Sequence, residues 1–286
     1  MLDHPIRIIP RLDIKGPNVV KGIHLEGLRV IGRPDEMARY YYQEGADELF
    51  FMDVVASLYE RNSLTSIIKR TAEEIFIPLT VGGGLRSIAD MSRVLHAGAD
   101  KVCINTAAIK NPNFIREAAH SFGSSTIVVG IEAIKQENRK WLAYTDNGRE
   151  FTGIDVVDWA KKVEELGAGE IVITSVDREG TGEGFDIELV SQLSSNVSIP
   201  IIAHGGAGKH EHVAMMIKES QADAVALASI LHYEYVKHCD NGSASELEGN
   251  TEFLKMKKES KCFDIASVRE LKTSLIQSDI KVRITN

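Results

Sequence analysis

Gly45-Ala46-Asp47-Glu48-Leu49, followed by Ile77-Pro78 and Gly83-Gly84, returns 122 residues later as Gly167-Ala168-Gly169-Glu170-Ile171, followed by Ile199-Pro200 and Gly205-Gly206. Ala99-Asp100 returns as Ala222-Asp223 after 123 residues, and Leu12-Asp13 as Ile131-Glu132 after 119. A near-constant offset marks a duplicated unit. Around these repeats, short runs rich in Val, Ile and Leu alternate with longer amphipathic segments bearing Glu, Lys and Arg, the pattern of βα units on a parallel sheet. Eight such runs lie at 7–13, 48–53, 78–81, 101–105, 125–132, 170–175, 200–203 and 224–228. Most are apolar at nearly every position, as strands covered on both sides must be. Two matched sets of four predict one closed (β/α)8 barrel over 1–286, with half-barrels at about 1–122 and 123–286; an open doubly wound sheet is the arrangement that periodicity alone does not separate from it. A polar stretch at about 235–261 reads as an insertion after the eighth strand, a surface loop or a partial lid. Ser267-Val268-Arg269-Glu270-Leu271-Lys272 reads as the closing helix.

Composition narrows the function. With 286 residues, 43% hydrophobic and 26% charged, the chain can bury one large core. A net charge of -8 argues against broad binding of nucleic-acid backbones, so any phosphate must be held locally. Cys103, Cys239 and Cys262 are odd in number and form no C-x-x-C pair, which fits a reducing cytoplasm rather than a disulfide framework or zinc ribbon. The first eleven residues carry charges and two prolines, unlike a signal peptide, and no apolar run approaches the ~18 residues of a membrane span. His210-x-His212 has metal-like spacing but no third ligand in a recognisable pattern, and it falls on a helix start. Neither a metal nor a cofactor is expected.

In a (β/α)8 barrel the chemistry sits on the loops that follow the strands. Gly82-Gly83-Gly84 ends the third strand and Gly205-Gly206-Ala207-Gly208 follows the seventh. Glycine lets backbone N–H groups approach an anion, and a helix starting just beyond adds its dipole. A tight turn would use the same residues, but Asn105-Thr106 and Ala228-Ser229 stand at equivalent places in the next unit of each half, which favours two phosphate sites. Asp13 and Glu132 end equivalent strands on opposite sides of the mouth, a pair suited to general acid–base work; singly, each could instead cap a loop or pair with Lys15 or Lys135. Asp53, Thr174 and Asp177 end the second and sixth strands and could orient substrate hydroxyls or serve the fold.

Several segments together carry a resemblance: Arg7-Ile8-Ile9-Pro10-Arg11-Leu12-Asp13-Ile14-Lys15, Val19-Val20-Lys21-Gly22, Ala46-Asp47-Glu48-Leu49, Thr80-Val81-Gly82-Gly83-Gly84, the ten residues from Ala99 to Ala108, and Thr174-Ser175-Val176-Asp177-Arg178-Glu179-Gly180-Thr181. Over nearly its whole length the chain resembles the cyclase subunit of imidazole glycerol phosphate synthase. The resemblance implies that ammonia from a class I glutaminase partner enters the bottom of the barrel, crosses the core and meets a bisphosphorylated ribulosyl-formimino-aminoimidazole carboxamide ribonucleotide, giving imidazole glycerol phosphate and an aminoimidazole carboxamide ribonucleotide. It assigns acid–base roles to Asp13 and Glu132. Phosphate or substrate contacts fall to Lys21, Asp53, Gly84, Asn105, Thr106, Thr174, Gly180, Gly205, Gly206, Ala228 and Ser229. It places a charged gate at Arg7, Glu48, Lys101 and Glu170, and a glutaminase contact at Asp100.

Four residues depart from the family pattern: Arg11 replaces a Cys, Glu132 an Asp, His204 a small Ser and Glu179 an Asp. A displacement of about 1 Å at a reacting centre can cost on the order of a hundredfold in rate. Three functions therefore compete. The first is the cyclase of histidine synthesis. The second is an ammonia-conducting subunit serving a separate sugar-modifying amidotransferase in surface-polysaccharide synthesis, which a retained gate beneath an altered centre would fit. The third is a related half-duplicated sugar isomerase, whose members do not need the gate. Asp13→Asn is expected to abolish cyclisation and leave folding intact.

Overall fold

A computed structural model describes residues 4–55, 64–238 and 263–284. In chain order the elements are β1 (Arg7–Lys15), β2 (Asn18–Ile23), β3 (Glu26–Gly32), α1 (Pro34–Gln43), β4 (Leu49–Asp53), α2 (Leu64–Ala72), β5 (Leu79–Gly82), α3 (Ile88–His96), β6 (Lys101–Ile104), α4 (Thr106–Lys110), α5 (Asn113–Phe122) and β7 (Ile127–Lys135). There follow β8 (Trp141–Thr145), β9 (Glu150–Asp155), α6 (Val156–Glu165), β10 (Glu170–Ser175), α7 (Ile187–Ser194), β11 (Ile201–His204), α8 (His210–Ser220), β12 (Ala224–Leu227), α9 (Ser229–His238) and α10 (Val268–Gln277). Strands β1, β4, β5, β6, β7, β10, β11 and β12 pair in parallel in that order, and β12 pairs with β1, so the sheet closes on itself. All eight apolar runs are strands of this barrel, and the open sheet is excluded. Each half adds an antiparallel hairpin after its first strand: β2–β3 beside β1, and β8–β9 beside β7.

Local chemistry explains the punctuation. Asp155 caps α6 by accepting the Val157 amide at 2.9 Å, and Ser267 and Glu270 form a reciprocal capping box at the start of α10, the helix expected from Ser267 onward. Of the insertion read at about 235–261, residues 235–238 are instead the last turn of α9, and the remainder lies outside the described residues, as do Cys239 and Cys262. The repeated Ala-Asp pairs are a device of the fold: Asp47, Asp100 and Asp223 each accept the amide that opens a neighbouring strand, from Ile8 (2.8 Å), Leu79 (2.9 Å) and Ile201 (2.8 Å). Among the described residues no helix is long and apolar enough to cross a membrane.

Two apolar populations form. The larger fills the space between strands and helices, and a separate cluster of Ile9, Phe50, Cys103, Val128, Val172, Ile202, Ala224 and Ala226 fills the barrel itself. Side chains alternate along a strand, so the inward set also includes Arg7, Arg11 and Asp13 on β1, Gly130 and Glu132 on β7, Glu170 and Thr174 on β10, and His204 on β11. The interior is thus stacked: a charged layer at the strand starts, an apolar layer, and a polar layer leading to the mouth.

Candidate active site at the barrel mouth

The lower layer is a closed ring of alternating charge. Arg7 donates to Glu48 (2.7 Å) and Glu170 (3.2 Å), and Lys101 donates to Glu48 (3.1 Å) and Glu170 (2.8 Å). Burial pushes the Arg7 guanidinium down while Glu170 and Glu48 pull it up further, leaving it above its ordinary value. The four gate residues therefore meet as one group.

At the other end lies a cleft of about 590 Å³ that brings together Asp53, Gly83, Gly84, Asn105, Thr106 and Glu132. Gly83 sits at φ +97°, and a Cβ there would lie 2.3 Å from the Asp53 carbonyl oxygen, so only glycine fits this turn. Among the residues the cleft adds that sequence reasoning missed are two cations and two hairpin residues, Arg86, Lys110, Asp146 and Asn147. The two cations stand just after the glycine run and the Asn-Thr pair. The other two belong to the tip of the β8–β9 hairpin, where the positive φ of Asp146, Asn147 and Gly148 was readable as an Asp-Asn-Gly turn.

Glu132 rises half-buried from the cleft floor and accepts the Gly148 amide at 2.8 Å. Burial pushes its carboxyl up to about 7, against the lowering effect of Gly148, Arg11 and Asn105. Lys135, the cation that a purely structural role would have offered it, pairs instead with Glu188 at 2.9 Å. Asp177 accepts the Lys135 amide and holds the β7 end against the β10 loop.

The opposite side of the mouth is built differently. Arg11 lies inside the barrel, 5% exposed, with its Nε donating to Asp13 (3.0 Å) and a terminal nitrogen donating to Thr174 (3.1 Å), its guanidinium 5.9 Å from the Phe50 ring centre. Asp13 is itself 4% exposed, so it is a buried ion-pair partner rather than a free rim carboxylate. Lys21 is also buried, donating to Glu179, whose second oxygen accepts the Leu25 amide at 3.1 Å. The β2–β3 hairpin is thereby fastened to the loop after β10, and Gly180 is packed where a Cβ would lie 2.6 Å from the Gly22 carbonyl oxygen. Gly205 and Gly206 lie under the same loop, with the Gly206 carbonyl accepting the Gly184 amide at 2.8 Å. Ala228 and Ser229 follow β12, both buried. The first-half contacts therefore share an open cleft, and the second-half contacts lie beneath a closed loop. Below the barrel, Asp100 borders a hollow of about 360 Å³ together with Phe76, which is 83% exposed. Among the described residues no three His, Cys, Asp or Glu are grouped to hold a metal.

The histidine biosynthesis protein family matches residues 7–237. Imidazole glycerol phosphate synthase subunit HisF of Legionella pneumophila is 62% identical over 206 residues, which is 72% of this chain and 97% of that protein. The subunit of the same name from Methanocaldococcus jannaschii is 50% identical over 258 residues, covering 82% of this chain and 95% of its own.

Proposed function

This chain belongs to the histidine biosynthesis family, among the cyclase subunits of imidazole glycerol phosphate synthase, and on that premise we propose how its own residues share the work. The observation that carries the proposal is the stacking of the barrel: an ion-paired ring below, an apolar core, and two carboxyl groups on opposed strands above. A bisphosphorylated ribulosyl-formimino-aminoimidazole carboxamide ribonucleotide lies across the mouth. One phosphate rests on the Gly83-Gly84 turn and Thr106, neutralised by Arg86 and Lys110, and the other reaches toward Gly205, Gly206 and Ser229 once the loop fastened by Lys21 and Glu179 yields. Asp53, Asn105 and Thr174 orient the substrate's polar groups. Ammonia passes Arg7, Glu48, Lys101 and Glu170, crosses the apolar layer and attacks above it, while Asp13 and Glu132 handle the protons. The ammonia comes from a glutaminase subunit seated on the lower face at Asp100 and Phe76, and the pair works in the cytoplasm. The test is a steady-state assay of the purified chain with the bisphosphate and ammonium salts at alkaline pH, following substrate absorbance. Turnover that saturates with both reactants is the expected result.

A second reading is favoured by one observation, the capture of Asp13 and Thr174 by the buried Arg11. A centre filled in this way beneath an intact gate suits a subunit that conducts ammonia to a separate sugar-modifying amidotransferase. A folded, phosphate-binding chain that shows no cyclase turnover in the same assay would support it.

A further inference from the structure

Directly above the apolar layer stands a side chain to which the reaction just described gives no work. His204 ends β11 two residues beyond Ile202, so it shares that residue's inward direction, and it is 4% exposed. Its Nδ1 lies 2.9 Å from the Ala226 carbonyl oxygen. A carbonyl only accepts, so Nδ1 carries the proton and Nε2 presents a lone pair. That lone pair has no hydrogen-bond partner, although buried polar atoms almost always have one. The nearby cationic and ring groups are directed to other partners: Arg11 to Asp13 and Thr174, Lys21 to Glu179, and His232 Nε2 to the Arg11 carbonyl at 2.9 Å. Burial first, and the charge of Arg11 next, hold the His204 ring neutral by lowering its pKa well below the ordinary value.

The layer beneath, built on Ile9, Phe50, Val128, Val172 and Ile202, offers a passenger few polar atoms, the Thr80 hydroxyl beside Phe50 among them. What crosses it must be small and uncharged, and at its upper edge it meets an acceptor without a partner. We infer that His204 Nε2 is the station that receives ammonia as it leaves the apolar core, with Arg11 beside it turning back ammonium. The inference rests on the ammonia-using reading proposed above. The polarity of the station matters for the chemistry. Ammonia held by donating one N–H to Nε2 keeps its own lone pair free to attack, whereas a donor placed there would occupy that lone pair. Water shares the donor capacity of ammonia and is the competing occupant.

The test uses the full chain with ¹⁵N-labelled histidine, the His204 signals being assigned by their loss in His204→Gln. At a pH where free ammonia predominates, added ammonium chloride should move the Nε2 resonance in the direction of a newly accepted hydrogen bond, and potassium chloride at equal ionic strength should not. In turnover, His204→Leu should raise KM for ammonia about fivefold, the worth of one neutral hydrogen bond, with KM for the bisphosphate unchanged. His204→Gln, whose side-chain oxygen replaces the acceptor, should restore it. An Nε2 resonance that ammonia leaves unmoved, or that potassium chloride moves equally, makes water the occupant and overturns the inference, as does a leucine variant with the original KM for ammonia. Should the chain fail to turn over the bisphosphate at all, the cyclase reading falls while the resonance still decides this one.

Discussion

Glu132 and Asp13 end equivalent strands, yet their neighbours give them different work. Glu132 faces a peptide N–H and an open cleft, and its carboxyl, raised mainly by burial to about 7, can exchange a proton near neutrality. Asp13 faces a guanidinium at 3.0 Å. On the proposed cyclase reading, this geometry suits Glu132 as the proton donor and Asp13, aligned by Arg11, as the proton acceptor. The sign follows: the competent form of Glu132 is protonated, so it is full well below its pKa and lost as pH rises through it. With free ammonia held constant, kcat should fall about tenfold per pH unit above about 7, and Glu132→Gln should remove that limb and lower the rate by about 10²–10⁴. A limb that rises through the same range would instead make Glu132 the base. The expectation that Asp13→Asn leaves folding intact needs correction, because it takes the anion from a buried arginine. Breaking such a pair costs about 3–5 kcal/mol, so the variant should lose stability in chemical denaturation together with activity. Adding Arg11→Met should return part of that stability and none of the activity.

At the scale of elements, β1 is anchored from outside as well as from within. His232 of α9 donates from Nε2 to the Arg11 carbonyl at 2.9 Å, and Tyr41 of α1 donates its hydroxyl to His232 Nδ1 at 2.6 Å. The Tyr41 contact, which uses the Nδ1 lone pair, requires a neutral ring, and burial lowers its pKa to about 4. A histidine depressed in the fold contributes stability that is present above its unfolded pKa of about 6.5 and lost as pH falls through the folded value. Between those pH values the loss should reach about 3 kcal/mol relative to His232→Gln, measured as the difference in unfolding free energy between the two proteins. Equal acid sensitivity of the two would show that His232 is not a neutral tie. The same elements show why some of the architecture was readable and some was not. The barrel strands could be read because burial on both faces leaves unbroken apolar runs, and Glu132 because its strand repeats that of Asp13. The hairpins were missed because β2 and β3 carry Lys21 and Arg29 in short, mixed stretches, although Asp146-Asn147-Gly148 did announce the β8–β9 turn. The Arg11–Thr174 and Lys21–Glu179 pairs join residues 163 and 158 apart across the barrel mouth, which no local pattern encodes.

At the scale of the whole molecule, the barrel closes by β12 against β1, and Lys272 ties α10 to the start of β1 from outside the sheet. From α10 its ammonium, with a side chain 7% exposed, donates to the Gly45 carbonyl (2.7 Å), to Asp47 (2.8 Å) and to the Arg283 carbonyl (2.8 Å). Asp47 in turn accepts the Ile8 amide, and the Ile6 amide reaches the Lys281 carbonyl at 2.8 Å, so one buried cation links the chain end, the α1–β4 turn and the start of β1. Burial lowers the Lys272 pKa and Asp47 opposes that, as for a buried charge balanced by an ion-pair partner. Lys272→Met preserves most of the stem but strands Asp47, at an expected cost of about 3–5 kcal/mol and a drop in Tm on the order of 10 °C. The double variant with Asp47→Asn removes the stranded charge while leaving an oxygen for the Ile8 amide, and should recover part of the loss. The junction lies on the opposite side of the apolar layer from Glu132, so kcat measured well below the melting temperature should be unchanged in both variants. A Tm within a degree or so of the parent would mean that apolar packing of Val268, Leu271 and Leu275 alone holds α10 in place, and that the buried cation aligns the chain end without stabilising it.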